Sequence, residues 1–157
     1  MIIVQLTGGL GNQLFQYAMG RSLAIRNKAE YKIDISFFED YEFSPDDSKI
    51  LIKTQIEPLF NTSTKEFNYI WDISKKVMKT VTAEGKQWYS SFSPDGKKLA
   101  YIREGNLFIK NLETDQLQPI TYDGAMGQNL YGMADALYEN NFGMMQAYQW
   151  SPDGQYL

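Results

Sequence analysis

The stretch Phe92-Ser93-Pro94-Asp95-Gly96-Lys97-Lys98-Leu99-Ala100-Tyr101 decides the fold, because the chain carries the same motif three times. The other two copies are FSPDDSKILI at 43–52 and WSPDGQYL at 150–157. Their serines follow one another after 49 and then 58 residues, and a period of this length is typical of β-propeller blades rather than of helical repeats. In each copy proline presets φ at a turn that Asp or Gly closes, so each copy predicts a β-hairpin.

The middle copy predicts a complete blade of four short antiparallel strands. These strands are expected at 88–92, 97–103, 107–112 and 117–121, with turns between them. A run of the same character, YIWDI at 69–73, stands in the preceding repeat where LFIKN at 107–111 stands in this one. The same strand therefore recurs from one repeat to the next.

The first 35 residues have a different pattern of strand, glycine turn, helix and strand. A β-rich run at 2–6 leads into Thr7-Gly8-Gly9-Leu10-Gly11-Asn12, in which the glycines tolerate positive φ. Asn12 is expected to cap a helix at 13–27, and strand character resumes at 31–35. Apolar residues recur along the helix at steps of three and four residues and give it one apolar face: Leu14, Phe15, Ala18, Met19 and Leu23. This order predicts one βαβ unit with a right-handed connection.

The predicted fold class is therefore mixed α and β, in two parts of different architecture. Residues 1–41 are expected to form the βαβ fragment, and residues 42–157 an incomplete antiparallel β-propeller of two to two and a half blades. No Gly/Ser linker separates the two parts at 37–41. We interpret the junction as a fusion of two unrelated genes, a misassembled sequence or an engineered one.

Composition and charge exclude several classes of function. The 157 residues carry 15 Lys and Arg against 19 Asp and Glu, a net charge of −4, so no nucleic-acid partner is expected. No run of about 18 apolar residues predicts a membrane span, and residues 1–10 lack the pattern of a signal peptide. The sequence has no His and no Cys, which excludes a Ser-His-Asp triad, a thiolate nucleophile and a zinc site of the usual ligands within it. We expect no metal and no cofactor.

The run Gly8-Gly9-Leu10-Gly11-Asn12-Gln13-Leu14-Phe15-Gln16-Tyr17-Ala18, continued by GRSLA at 20–24, closely resembles the amino terminus of bacterial α-1,2-fucosyltransferases of glycosyltransferase family 11. The resemblance covers residues 1 to about 40. It implies a GT-B-like fold, a GDP-fucose donor and a sugar-nucleotide site that is formed by Gly9, Gly11, Asn12 and Gln13.

Two interpretations of this glycine turn stay open. A helix start that offers backbone N–H groups to a phosphate is physically reasonable. The alternative is a turn that only lets the helix approach the sheet. The family's later His-x-Arg-Arg-x-Asp motif needs a histidine that this chain lacks, so fucosyltransferase activity is not expected.

Four strings in the remainder of the chain carry a second resemblance. They are EFSPDDSKIL at 42–51, QWYSSFSPDGKK at 87–98, NLFIK at 106–110 and residues 132–142. Together they make residues 43–157, about three quarters of the chain, similar to part of the N-terminal β-propeller of bacterial dipeptidyl peptidase IV, in the prolyl oligopeptidase clan. The family activity is release of Xaa-Pro dipeptides from peptide amino termini.

In that family two adjacent glutamates hold the free amino terminus of the peptide substrate. The matching run here is Asp135-Ala136-Leu137-Tyr138-Glu139-Asn140-Asn141-Phe142, so the resemblance implies that amides at Asn140 and Asn141 replace both carboxylates. An arginine that the family supplies from the first repeat is matched by Asn61. Glu139 alone keeps its charge and is interpreted as a solvated or scaffold carboxylate.

The functional prediction is therefore a partial propeller that is not expected to be active alone. Two alternatives stay open: a fucosyltransferase fragment that binds GDP-fucose, and a fused or misassembled sequence with no evolved function. Because an open propeller presents strand edges, we expect self-association, or a peptide or protein partner at those edges. Localisation is not predicted, because the peptidase relatives are typically periplasmic and the fucosyltransferase relatives cytoplasmic or membrane-associated.

Overall fold

A computed structural model describes residues 1–7, 10–34, 40–59 and 63–157. The chain divides into two units, Met1–Glu39 and Asp40–Leu157. The first unit contains strand β1 (Ile2–Gln5), helix α1 (Leu10–Arg26) and strand β2 (Tyr31–Asp34). β1 and β2 pair in parallel, so the expected order of strand, helix and parallel strand is observed.

Helix α1 begins earlier than its sequence predicts. Its first residue is Leu10, so Asn12 lies inside the first turn, and the prediction that Asn12 caps the helix was wrong. Because Leu10 and Gly11 are already helical, the Asn12 side chain lies too far into the helix to act as its N-cap.

The buried face of α1 also differs from the predicted one. Gln13, Gly20 and Ala24 are buried, whereas the apolar side chains expected on one packed face are largely exposed, Phe15 to 67% and Met19 to 51%. A Cβ atom at Gly20 would overlap the Val4 side chain, so α1 lies on β1 through its smallest residues. Within residues 1–7 and 10–34, β1 and β2 form a two-stranded sheet, and the apolar side chains of α1 stay exposed.

The second unit contains two four-stranded antiparallel sheets. The first has the order β3-β4-β5-β6, with β3 at Asp40–Phe43, β4 at Lys49–Pro58, β5 at Thr64–Asp72 and β6 at Val77–Thr80. The second has the order β10-β9-β8-β7, with β7 at Trp88–Phe92, β8 at Lys98–Arg103, β9 at Asn106–Asn111 and β10 at Leu117–Pro119. All four strands expected from the middle motif are present, with ends shifted by one or two residues. β5 and β9 are each the third strand of their sheet, as the recurring run predicted.

A hydrophobic core lies between the two sheets. Leu51 and Ile70 from the first sheet pack with Phe92, Leu99 and Tyr101 from the second. Every second side chain of β5 from residue 66 to residue 70 is buried, as expected for a strand with one face toward a core. Burial of each large apolar side chain contributes about 1.5 to 3 kcal/mol, so this core holds the two sheets together.

A β-bulge in β7 directs side chains to both faces of the second sheet. The register of β7 on β8 shifts between Trp88 and Ser91, and Tyr89 has φ +51°. Trp88 packs with Ile102 in a second hydrophobic cluster, although Phe92, four residues later, lies in the core between the sheets; the bulge explains why the two side chains do not share a face. A left-handed backbone costs a residue with a side chain about 1 to 2 kcal/mol.

The three copies of the repeated motif form the same turn. In each, the serine hydroxyl donates to the aspartate two residues later at 2.6 Å. The fourth residue of each turn has a left-handed backbone: Asp47 at +54°, Gly96 at +66° and Gly154 at +67°. No strand is assigned to the third copy among the described residues 144–157, so the second unit holds two complete sheets and a third turn.

Candidate functional site

Helix α2 (Ala136–Phe142) carries three of the predicted site residues. Its ends are set by local sequence signals. The Asp135 carboxylate caps the helix by accepting the N–H groups of Leu137 at 2.9 Å and Tyr138 at 3.0 Å. Gly143 closes it with φ +62°, and its N–H donates to the Glu139 carbonyl at 3.1 Å. A cap of each kind stabilises a helix of only two turns.

Glu139 is the buried residue of this helix, with 6% of its surface exposed. Its Oε1 accepts the backbone N–H of Ser63 at 2.9 Å, although 76 residues separate the two in sequence. Ser63 is itself buried and lies directly before β5. Glu139 therefore holds α2 against the hairpin between β4 and β5 with a charge-assisted hydrogen bond, which is stronger than a neutral one.

Two tyrosines connect this contact to the second sheet. The Tyr89 hydroxyl donates to the Ser63 hydroxyl, and the Tyr148 hydroxyl donates to the Tyr89 carbonyl. Burial raises the pKa of Tyr89, and the negative charge of Glu139 raises it further. Burial also raises the pKa of Tyr148. Both hydroxyls therefore stay protonated at neutral pH and act as donors.

Asn140 and Asn141 are exposed, unlike Glu139 on the same helix. The Asn141 side-chain amide donates to the Leu137 carbonyl at 2.9 Å. Asn61 lies outside the described residues, but Ser63, two positions later in sequence, contacts Glu139. The described part of the chain thus shows a contact between α2 and Ser63, and the assignment of Asn61, Asn140 and Asn141 to substrate binding stays a prediction.

A groove of about 460 Å³ lies beside α2, within the usual size range of small-molecule sites. Its lining is mainly apolar, with a few polar groups: Gln128, Leu130, Met133, Ala134, Asp135, Tyr138, Met144 and Ala147. Over the described ranges, no group of three or more acidic, histidine or cysteine side chains could hold a metal ion. No helix in the described part of the chain is long and apolar enough to cross a membrane.

The sugar-nucleotide residues predicted in the first unit are only partly described. Gly9 lies outside the described residues. Gly11 and Asn12 lie in the first turn of α1, where N–H groups have no acceptor within the helix, and Gln13 follows them. Gln13 is 7% exposed, so its side chain faces the unit's interior.

A contact that the sequence did not predict closes the turn before α1. The Gln16 side chain accepts the Thr7 N–H at 2.8 Å and donates to the Thr7 hydroxyl at 3.1 Å. It therefore fixes the end of β1 relative to the helix.

Comparison with known proteins assigns most of the second unit to the N-terminal region of a peptidase family. A family model described as the dipeptidyl peptidase IV (DPP IV) N-terminal region matches residues 44–157. The chain therefore belongs to this family. The match does not include the segment that resembles fucosyltransferases, so that resemblance stays a prediction.

Individual relatives agree with this assignment. Dipeptidyl peptidase 4 of Felis catus is 29% identical over 147 residues, which are 92% of this chain and 19% of the relative. Prolyl endopeptidase FAP of Mus musculus is 30% identical over 75% of this chain and 16% of the relative. The crystal structure of Porphyromonas gingivalis dipeptidyl peptidase 4 superposes with a TM-score of 0.73 at 31% identity, over 76% of this chain and 17% of the other. The chain thus spans less than a fifth of the length of these relatives.

Three residues of the site were missed by sequence reasoning. Ser63, Tyr89 and Tyr148 are common residue types without a local pattern, and only the fold brings them together. Glu139 could have been identified from the sequence, because it is the one charged residue within α2 (ALYENNF) and stands in its middle. Its partner could not be read from the sequence.

Proposed function

We propose that residues 40–157 are two blades and the beginning of a third from a dipeptidyl peptidase IV-like β-propeller, and that α2 is an altered site for a peptide amino terminus. One observation supports this most strongly: Glu139 is buried against Ser63, while Asn140 and Asn141 are exposed beside it. This arrangement separates a carboxylate that holds the fold from two side chains that face solvent, where a ligand can reach them.

The chemistry of the exposed pair explains why the chain is proposed to be non-catalytic. An ammonium group binds a carboxylate by a charge-assisted hydrogen bond, worth about 1.5 to 3 kcal/mol, against about 1 kcal/mol for a neutral acceptor. Two amides in place of two carboxylates therefore weaken ammonium binding by roughly tenfold to a thousandfold. The 157 residues also contain no histidine to serve as the base of a serine nucleophile.

The test is to restore the carboxylates and measure binding of a dipeptide. Ile-Pro is titrated calorimetrically into the parent chain and into the double variant Asn140→Glu, Asn141→Glu. We expect the variant to bind Ile-Pro at least about tenfold more tightly, and the gain to be largest at low salt, because an exposed site is screened.

A matched control adds the same charge elsewhere. Gln116→Glu with Gln118→Glu introduces two negative charges at exposed positions on and beside β10, away from α2. We expect this control to bind Ile-Pro no more tightly than the parent. Equal affinity in the parent and the α2 variant would show that α2 is not an amine-binding segment, and the proposed function would be wrong.

The proposal about partners rests on the outer strands of the two sheets. β3 and β6 are the outer strands of the first sheet, and β7 and β10 those of the second. Unpaired N–H and C=O groups on such strands can pair with a strand from another molecule. We therefore propose self-association by strand addition, which sedimentation of the chain tests.

A further inference from the structure

We infer that Glu139 is a positioning residue, which joins α2 to Ser63, directly before β5, and so fixes the surface of α2 that carries Asn140 and Asn141. We call the three residues that make this junction, Ser63, Tyr89 and Glu139, the clamp: Glu139 accepts the Ser63 backbone N–H, and the Tyr89 hydroxyl donates to the Ser63 hydroxyl. The role given to the surface rests on the proposed function, but the clamp itself is defined by contacts alone.

The first argument is burial. Glu139 is 6% exposed and Ser63 is 2% exposed. A buried carboxylate is costly unless hydrogen bonds satisfy it, and one of those bonds comes from the Ser63 N–H at 2.9 Å. Ser63 and α2 therefore cannot separate without the loss of a hydrogen bond to a buried carboxylate, and this loss opposes their separation.

The second argument is the strained backbone at Tyr89. A tyrosine at φ +51° is unfavourable, yet the bulge directs its hydroxyl to the Ser63 hydroxyl. The Tyr148 hydroxyl donates to the Tyr89 carbonyl and thus supports the bulge from the segment that follows α2. Strain of this kind persists only where the surrounding structure holds it in place, and here the bulge brings a donor to the clamp.

The third argument is that α2 is secured on both sides of the clamp. The Ala147 N–H donates to the Gly132 carbonyl at 2.8 Å and closes the loop that carries the helix. The Trp150 indole donates to the Ser91 carbonyl at 3.3 Å, next to the bulge. Glu139 lies inside the loop from Gly132 to Ala147 that the first of these bonds closes, so its bond to Ser63 fixes the part of the loop that carries Asn140 and Asn141.

Amide hydrogen exchange of the full 157-residue chain tests the clamp directly. The Ser63 N–H is followed by NMR in the parent, in Glu139→Ala and in Glu139→Gln, with the buried Ser93 N–H, which bonds the Lys98 carbonyl at 2.9 Å, as the reference. We expect Glu139→Ala to speed exchange at Ser63 by about tenfold or more relative to Ser93, because it removes the acceptor. Glu139→Gln keeps an acceptor oxygen and is expected to restore most of the protection.

Glu139→Ala could unfold the whole chain, in which case exchange at Ser93 would rise as much as exchange at Ser63. Glu139→Gln keeps the inference testable in that case. A neutral acceptor is weaker than a charged one, so Glu139→Gln should still speed Ser63 exchange a few-fold while Ser93 is unchanged. If neither variant changes Ser63 exchange relative to Ser93, the clamp does not exist as inferred.

A second titration connects the clamp to binding. In the chain that carries Asn140→Glu and Asn141→Glu, adding Glu139→Ala should abolish the gain in Ile-Pro affinity, and adding Glu139→Gln should keep most of it. If the gain survives Glu139→Ala, Glu139 does not position the surface. If the double variant gains no affinity but Ser63 exchange responds to Glu139, the proposed function fails and the clamp stands.

Discussion

Replacement of Gly96 by alanine tests how the repeated turns stack on one another. Gly96 is the fourth residue of the second turn and has φ +66°, where a side chain is strained. An added Cβ would lie 2.7 Å from Asp46 Oδ1 and 3.0 Å from Asp46 Cγ in the first turn. The aspartate of one turn therefore occupies the space above the fourth residue of the next.

The expected cost has two parts. The left-handed backbone costs about 1 to 2 kcal/mol for alanine, and the steric overlap adds about 1 to 2 kcal/mol, in the lower range for overpacking. The Asp46 carboxylate cannot move away freely, because the Ser44 hydroxyl at 2.6 Å and the Ser48 hydroxyl at 2.8 Å hold it. We therefore expect Gly96→Ala to lower the free energy of unfolding by about 2 to 4 kcal/mol.

Gly154→Ala is the matched control, since it changes the same position of the third turn. Gly154 has nearly the same backbone, φ +67°, but the atom nearest to its added Cβ is Pro94 Cδ at 3.4 Å, an ordinary contact. The control should cost only the backbone part, about 1 to 2 kcal/mol. Urea unfolding at constant m-value measures both variants, and equal losses would refute the stacking argument.

Further predictions follow from the same turns and from the site. Asp47→Gly should raise the free energy of unfolding in urea by up to about 1 kcal/mol, because Asp47 has φ +54°; a decrease would show that its side chain is needed. Hydrogen bonds from Ser44 and Ser48 lower the pKa of Asp46 to about 2 from 3.8. Its stabilising contribution is therefore complete above the unfolded pKa and lost as pH falls toward 2, so Asp46→Asn should flatten the acid limb of the stability profile. The purified chain should release no chromophore from Gly-Pro-p-nitroanilide above a buffer blank. In sedimentation at micromolar concentration we expect species larger than the 18.1 kDa monomer; a single monomer peak would contradict strand addition.

The turns were predictable because their chemistry is local. Within six residues, serine, proline, aspartate and a residue that tolerates left-handed backbone determine the hydrogen bonds that all three copies share. The strands of the second sheet followed from the same motif, since a turn of fixed length sets the register of the strands that it joins. Local determination of this kind needs no knowledge of the rest of the fold.

Helix α1 shows where a local pattern is insufficient. Periodicity correctly indicated a helix with an apolar stripe, but it could not say which stripe the unit covers. The packed side is set by close approach of Gly20 to Val4, and Phe15 stays 67% exposed. This close approach involves a residue of β1, so the periodicity of the helix alone could not predict it.

The candidate site contains residues that local sequence identifies and residues that only the fold brings together, and the two kinds differ in burial. Asn140 and Asn141 are exposed, so exchanging them for glutamate should change stability by no more than about 0.5 kcal/mol. Glu139 is buried, and removal of its charge-assisted bond leaves the Ser63 N–H without that acceptor, at a cost of about 1 to 3 kcal/mol. Binding character can therefore change at two positions of α2 while the third keeps the helix in place. For this reason the proposed exchange of ligands at Asn140 and Asn141 could be predicted from the resemblance, whereas only the folded chain shows that Glu139 contacts Ser63.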